Sequence, residues 1–245
     1  MSLNLNGNVT GIYLGSAKAD AVYLGNVKVF EDTPIRYETI LGEQYPVVTI
    51  GGVTITAANL VYIDNNMYLN PATSESDSRK CVWNYGGHSN PDNSLYYGWK
   101  ALYYVVHNLI VSGWHLPTAN DWNEIVKALN NGSIPSTTEE ADSVKRKLFL
   151  SEGWINPGNN SSGLSLGCYG CGSASGRAMP MSWSKYNSSG YGFSVFNTSY
   201  TLTNGNTDCI EFSDIGQSST VFSVISTPYG NYSQFAYPIR LVKDA

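Results

Sequence analysis

The chain has 245 residues, with 14 lysines and arginines against 19 aspartates and glutamates, and its formal net charge is −5. Charged residues make up 13% of the chain, half of the roughly 25% usual in soluble domains, whereas hydrophobic residues at 42% suffice for a packed core. The acidic balance and the lack of a basic cluster argue against nucleic acid or a membrane as a partner, because both attract basic surfaces.

The first seven residues lack the basic and apolar regions of a secretory signal, so we expect folding in a cytoplasm. The longest apolar stretch, residues 101–111, is too short to span a bilayer. Four cysteines are too few to indicate a disulfide scaffold, and only Cys168 and Cys171 form a CxxC pair. A zinc site would need two more ligands, and no histidine has ligand spacing with this pair, so we predict no metal site.

A short internal repeat opens the chain. Residues 12–15, Ile-Tyr-Leu-Gly, return ten positions later as Val-Tyr-Leu-Gly at 22–25, and each copy ends in a tight-turn signal. With the alternating apolar and charged residues at 27–31 as a third strand, the pattern predicts a three-stranded β meander over residues 1–33, followed by a linker over 34–44. Such a meander is too small to be stable alone, so it should pack on the main domain or on copies of itself.

The next elements are two strands and a helix. Residues 45–59 predict two strands joined at Gly51-Gly52. The spacing of apolar residues over 95–110 then predicts a helix. Its buried side is expected to carry Trp99, Leu102, Tyr103, Val106 and Ile110.

Two further helices have clear start signals. Thr118 is a predicted N-cap with Asp121 at the third helical position, and the helix should end at 130–132, Asn-Asn-Gly. Its buried stripe is Trp122, Ile125, Val126 and Leu129. Another helix should start near Thr137 or Thr138, with acidic residues in its first turn, and run to Gly153.

From residue 158 onward the helical periodicity disappears. Short apolar or alternating runs between serine, asparagine and glycine clusters predict strands joined by long loops, at 193–196, 209–212, 220–225 and 237–242. Pro238 should mark the start of the last strand or a sheet edge, because proline cannot donate to a ladder. We therefore predict an α+β fold, with two or three helices on a mainly antiparallel sheet and many loops.

Four segments resemble one family in the same order along the chain. Residues 113–122 resemble the GWHLPT-x-x-(D/E)-W segment of the Fibrobacter succinogenes major paralogous domain. That C-type-lectin-like fold is related to formylglycine-generating enzymes and to the variable proteins of diversity-generating retroelements. Residues 50–60 resemble its early GG-x-W-x-x-x-NL turn, 97–99 its Tyr-Gly and Trp elements, and 237–244 its closing (F/Y)-P-V-R-C-V-K-D strand. The resemblance implies a C-type-lectin-like ligand-binding domain over 45–245.

The N-terminal repeat resembles the short strands that open many phage tail and baseplate proteins. That resemblance implies a virion protein, assembled in a host cytoplasm, whose residues 1–33 attach it to other tail proteins or trimerise it. Its ligand would be a bacterial cell-surface protein or glycan, bound non-covalently. One alternative is a bacterial surface or structural protein of the same fold. Another is an oxidase resembling formylglycine-generating enzymes, acting through Cys168 and Cys171, although their glycine-rich setting differs from the enzyme motif.

The sequence does not point to catalysis. His115 lies inside the GWHLPT-like segment, and we expect it to hydrogen-bond a loop and fix the turn before the helix. No phosphate loop or informative carboxylate pair is present, so we predict that the protein is not an enzyme. Calcium-dependent sugar binding in this fold resembles Glu-Pro-Asn or Gln-Pro-Asp tripeptides. The nearest match, residues 90–92, lacks a recognisable second ligand set, so no cofactor is predicted.

In the variable proteins of this fold, the segment before the closing strand displays the ligand contacts. Here that segment spans about 185–234, and its tyrosines would supply contact area at little entropic cost. Between Lys185 and Lys243 there is no lysine, tryptophan or methionine, which fits diversification of AAC codons and would make Glu211, Gln217 and Gln234 fixed positions. Ordinary solvated loops are the alternative interpretation. The predicted ligand-binding residues are Tyr186, Tyr191, Tyr200, Asn204, Asn206, Asp208, Ser213, Asp214, Tyr229, Asn231, Tyr232 and Phe235.

Overall fold

The computed structural model divides the chain into two compact units, Met1–Arg36 and Tyr37–Ala245. Within the residues it describes, no helix is both long and apolar enough to cross a membrane. The described residues are 13–14, 17–18, 21–24, 27–31, 35–69, 81–83, 95–109, 113–151, 154, 157–167, 171–173, 178–179, 193–197, 206–213, 221–228 and 235–244.

The first unit contains two separate hairpins. Its strands are β1 (Tyr13–Leu14), β2 (Ala17–Lys18), β3 (Ala21–Leu24) and β4 (Val27–Glu31). Tyr13 pairs with Lys18, and Leu14 pairs with Ala17, so the first copy of the repeat folds back on itself. In the same way β3 pairs with β4. Among the described residues of this unit, the strands thus form two hairpins, where the sequence predicted a three-stranded meander, because each copy of the repeat pairs with its own return strand.

The chain from Arg36 onward forms the remaining elements. Its strands are β5 (Arg36–Ile40), β6 (Glu43–Ile50), β7 (Val53–Thr56), β8 (Tyr68–Leu69), β9 (Cys81–Trp83), β10 (Tyr96–Gly98), β11 (Trp114–His115), β12 (Cys171–Ser173), β13 (Ala178–Met179), β14 (Phe193–Asn197), β15 (Asn206–Ser213), β16 (Phe222–Pro228), β17 (Phe235–Tyr237) and β18 (Val242–Lys243). Its helices are α1 (Trp99–Tyr104), which continues into a π-helical turn (Val105–Leu109), α2 (Ala119–Leu129) and α3 (Thr138–Leu148).

Three sheets and these helices make up the second unit. A six-stranded sheet has the order β13-β12-β17-β10-β9-β8, a five-stranded sheet has the order β11-β18-β7-β6-β5, and β14-β15-β16 form a third. The strands pair antiparallel, apart from the parallel pair β8–β9. The predicted α+β class is thus confirmed. The expected linker over 34–44 instead contains β5 and the start of β6, because Ile40 is buried in the core and draws this segment into the sheet.

The best local signals correspond to observed elements. β6 and β7 are joined at Gly51 and Gly52, both with positive φ, as predicted. Helix α2 begins after an N-cap at Thr118, with Asp121 completing a capping box, and α3 begins after Thr137. Helix α3 ends at Leu148 instead of continuing to residue 153, because Phe149 leaves the helix to form a bridge with Leu166.

Tertiary context changes two other elements. The helix predicted over 95–110 starts at Trp99 and changes into a π-helical turn after Tyr104. Ala101, Leu102 and Val105 are buried, whereas Tyr103, which was expected on the buried side, is exposed. The strand predicted over 237–242 is interrupted after Tyr237, because Pro238 cannot donate to the ladder.

Two hydrophobic clusters form the core of the second unit. The first includes Trp122, Ile125, Leu148, Phe149 and Phe212, so it joins α2 and α3 to β15. The second surrounds α1 and β10, where it includes Tyr45, Tyr97, Leu102, Ile239 and Leu241. Since Val242 belongs to the first cluster and Leu241 to the second, the closing segment of the chain contributes to both.

Candidate functional site

Four of the predicted ligand-binding residues lie in described strands. Asn206, Asp208 and Ser213 belong to β15, the middle strand of the three-stranded sheet, and Phe235 starts β17. The other eight lie outside the described residues: Tyr186, Tyr191, Tyr200, Asn204, Asp214, Tyr229, Asn231 and Tyr232.

The register of β15 divides the predicted residues between two ends of its sheet. Asn206 pairs with Pro228 at one end, and Ser213 pairs with Phe193 at the other. Seven residues of strand separate these ends by about 23 Å. Since positions alternate between the two faces of a strand, 206 and 208 share a face with Ile210 and Phe212, whereas 213 does not. The strand therefore does not gather all predicted positions into one patch.

Five of the predicted positions belong to two connections that start from the same end of this sheet. β15 begins at Asn206, opposite Pro228, the last residue of β16, whereas β14 ends at Asn197, which pairs with Cys209 three residues further along β15. All three strand ends face the same direction along the sheet, because neighbouring strands pair antiparallel. The connections 198–205 and 229–234 consequently start from the same end of the sheet. In the sequence, these connections carry Tyr200, Asn204, Tyr229, Asn231 and Tyr232.

One face of the three-stranded sheet is fixed to the helices. Ile210 and Phe212 are fully buried. The Phe212 ring meets the ring of Trp122 in α2 edge-on at 4.9 Å, and it meets that of Phe149 at 6.4 Å. Phe149 in turn stacks on Trp154 at 3.8 Å. The sheet is thus held on a rigid aromatic base.

Glu211 lies between these two buried residues on the opposite face of β15. Its side chain is partly buried, and its cross-strand partners are Val195 and Ser223, neither of which carries a charge. Within the described part of the chain, no hydrogen bond or ion pair reaches its carboxylate. Burial raises the pKa of this carboxyl. The sequence predicted Glu211 only as a fixed position, although a charged residue between two apolar strand residues was a visible signal.

Arg240 ties the closing segment to two distant parts of the chain. Its side chain is 0% exposed and donates from Nε to Asn59 Oδ1. One guanidinium nitrogen donates to the carbonyl oxygens of Thr56 at 2.8 Å and Leu164 at 3.2 Å, and the other to that of Ser165 at 3.1 Å. The fixed fork of the guanidinium matches several acceptors at once, so Arg240 has a structural role in the core.

His115 connects the closing segment to the start of α2. Its Nδ1 lies 2.6 Å from Asp244 Oδ1, and its Nε2 lies 3.3 Å from Asp121 Oδ2. Burial alone would raise the pKa of Asp121, but hydrogen bonds from Thr118 and His115 hold it below its usual range. The expectation that His115 fixes the turn before the helix is therefore confirmed. Both groups that it contacts here are carboxylates, so the imidazole is held between the first turn of α2 and the closing segment.

A polar cluster on the surface was missed by sequence reasoning. Tyr104 donates its hydroxyl to Asp64 at 2.9 Å and accepts a hydrogen bond from the Asn66 amide at 2.9 Å. The hydrogen bond to Asp64 raises the pKa of Tyr104. Since the cluster joins a turn to α1 and satisfies its own members, it has a structural explanation. Exposed Tyr68 and Leu69 lie beside it in β8.

A cavity of about 560 Å³ lies along α3. The residues that line it are polar, and none was predicted as a site residue: Thr138, Glu139, Asp142, Ser143 and Arg146.

The structure brings together no metal-ligand set in the described residues, where no group of three histidine, cysteine, aspartate or glutamate side chains could hold an ion. Cys171 lies in β12. Cys168 and the tripeptide at 90–92 fall outside the described residues.

No protein-family model, curated protein or solved structure matches this chain.

Proposed function

We propose that this protein is a phage tail or receptor-binding protein whose C-type-lectin-like domain binds a bacterial surface ligand non-covalently. Residues 1–33 would attach it to other tail proteins or trimerise it. The binding surface would be the end of the three-stranded sheet from which the connections 198–205 and 229–234 start. The proposal includes no catalytic step and no cofactor.

One observation carries the domain assignment: the four segments that resemble the family pair with one another. Ile55 of the early segment pairs with Val242 of the closing segment. Trp114 pairs with Lys243, and Tyr97 pairs with Tyr237. Segments far apart in the sequence therefore form one connected framework, as a shared fold would require.

The position of the predicted surface supports binding. The β14–β16 segment lies in the sequence immediately before the closing segment, and its inner face is anchored on Trp122 and Phe149. A rigid base with connections rich in tyrosine, serine and asparagine favours recognition, because such side chains adapt their hydrogen bonds at low entropic cost.

Host-cell binding tests the proposal. The triple variant Tyr200→Ala, Tyr229→Ala, Tyr232→Ala should lose binding of the labelled protein to a panel of intact bacterial cells. Its melting temperature should stay nearly unchanged, because the aromatic base is intact. Tyr37→Ala is the matched control, since Tyr37 is an exposed tyrosine in a different sheet. Cell binding that survives the triple substitution would show that the surface is assigned wrongly.

A second comparison distinguishes the two ends of the sheet. The pair Tyr186→Ala, Tyr191→Ala precedes β14, whose start lies at the end occupied by Ser213. If binding depends on the end at Asn206, this pair should retain it. Tail genes beside the coding sequence, or a reverse transcriptase next to a near-repeat of its 3′ end, would favour a phage protein over a bacterial surface protein.

A further inference from the structure

Glu211 occupies the centre of the middle strand of the three-stranded sheet. Its direct neighbours across the sheet are Val195 and Ser223. It lies on the face opposite Ile210 and Phe212, which are buried against the helices. Five residues of strand place it about 16 Å from the end at Asn206, so it is separate from the surface proposed above.

The charge of Glu211 is uncompensated within its own part of the chain. Residues 186–239 contain no lysine, arginine or histidine, and their only acids are Asp208, Glu211 and Asp214. Neither β14 nor β16 contains an ionisable side chain. Among the residues that the structure describes, no donor meets the Glu211 carboxylate.

A partly buried carboxylate without a partner destabilises the folded state, because desolvation penalises its charged form. The raised pKa of Glu211 has this burial as its cause. A glutamine of the same shape would avoid the charge. A donor from outside the chain would satisfy this carboxylate and offset the cost of its burial.

We infer that Glu211 receives the cationic side chain of a lysine or arginine from a protein partner, on the face of the sheet opposite the aromatic base. Charge complementarity identifies this occupant, because an ammonium or guanidinium supplies the donors and the charge that the carboxylate lacks.

The partial burial of Glu211 favours a long side chain over an amino sugar. Lysine and arginine carry their charge at the end of a long apolar stem, so the charged head can reach a recessed carboxylate while the partner's backbone stays outside. The amine of a hexosamine is bonded directly to a hydroxylated ring, which must itself be desolvated to approach a recessed group.

The test uses the full chain and small probes. N-acetyl-lysine methylamide is titrated into the isotope-labelled protein, and the backbone amide signals of Val195, Glu211 and Ser223 are followed by NMR. We expect saturable shifts that weaken at least tenfold in Glu211→Gln and persist in Glu43→Gln, which alters an exposed strand glutamate. The norleucine analogue and glucosamine should each bind at least tenfold more weakly.

Equal binding of the norleucine analogue, or unchanged lysine binding by Glu211→Gln, would overturn the inference. Stronger binding of glucosamine would overturn the choice of a protein side chain. If Glu211→Gln does not fold, Glu211→Asp serves instead, and it should weaken but retain lysine binding. Self-association that disappears in Glu211→Gln would identify a second copy as the occupant and overturn the assignment to a separate partner. The outcome is independent of host-cell binding through the tyrosines.

Discussion

At the scale of single residues, Gly51 is the most constrained position of the β6–β7 turn. Its φ is +62°, and an added Cβ would lie 2.7 Å from the carbonyl oxygen of Glu124 and 2.8 Å from Ala128 Cβ, both in α2. The turn therefore requires glycine for two reasons, its backbone conformation and the close approach of a helix.

Gly51→Ala should lower the free energy of unfolding by about 2 to 4 kcal/mol, because left-handed strain adds to overpacking against the helix backbone. Gly52→Ala is the matched control. Its φ is +85°, but an added Cβ there meets nothing within 4 Å. Only the strain of about 1 kcal/mol should then remain. Urea unfolding of both variants measures the difference, and equal losses would show that contact with α2 contributes nothing.

The turn at these two glycines was predictable from the sequence, but the close approach of Gly51 to α2 was not. The pair Gly51-Gly52 identified a turn, because glycine tolerates positive φ. The contact with α2 involves residues more than 70 positions away, and no local pattern encodes it. The same applies to Arg240, whose acceptors lie at 56–59 and 164–165. Its place in the closing segment was visible, but its partners were not.

At the scale of elements, the start of α2 depends on the charge of one side chain, because the carboxylate of Asp121 completes the capping box. Asp121 Oδ2 accepts hydrogen bonds from the Thr118 amide at 2.7 Å and the Thr118 hydroxyl at 2.6 Å, and it faces His115 Nε2. These bonds favour the ionised carboxylate and outweigh its desolvation, so the folded pKa of Asp121 is lowered. Such a group stabilises the fold above its unfolded pKa, and the stabilisation is lost as the pH falls through its folded pKa.

Asp121→Asn should therefore lower stability at pH 7 by about 1 kcal/mol and reduce the loss of stability on acidification. Urea unfolding between pH 7 and pH 3 measures both effects. Thr118→Ala removes the hydroxyl donor to the same oxygen, so it should weaken the pH dependence in the same direction. A variant Asp121→Asn with the wild-type pH dependence would contradict this account of the cap.

Elements with local signals were predictable, and those set by distant contacts were not. Helices α2 and α3 start where their capping residues indicate, because a cap satisfies backbone amides within one turn. Helix α1 differs from its periodicity because β10 and the π-helical turn take part of the predicted stretch. In the first unit, a ten-residue repeat fits a meander and a pair of hairpins equally well. Only the strand pairs seen in the structure distinguish the two arrangements.

The candidate surface shows the same division. Its composition was visible in the sequence, and the connections that carry most of the predicted tyrosines and asparagines do start from one end of a sheet. Ser213 lies at the opposite end of the sheet. The sequence did not reveal this, because a stretch of residues alone does not show where a strand ends and the chain reverses direction. Glu211 was not predicted as a binding position, since the lack of a partner for it among the described residues is a property of the folded sheet.

At the scale of the whole molecule, the second unit contains its own core. Every residue of the two hydrophobic clusters in the described part of the chain lies between Ile40 and Val242. A unit of this length buries enough surface to be stable alone. A shortened protein that begins at Ile35 keeps β5 and both clusters, so we expect it to fold and to melt within about 4 °C of the full chain, a shift that corresponds to about 1 kcal/mol.

Calorimetry of two truncations gives this prediction a matched control. A chain that begins at Gln44 loses β5 and Ile40, which is 2% exposed, so it should melt well below the chain that begins at Ile35. Light scattering on the same samples tests the proposed role of residues 1–33, because a trimer of the full chain should become a monomer in the shortened one. If the chain that begins at Ile35 fails to fold, the second unit needs the first. If it folds and remains a trimer, self-association belongs to the second unit, and the N-terminal hairpins then serve attachment alone.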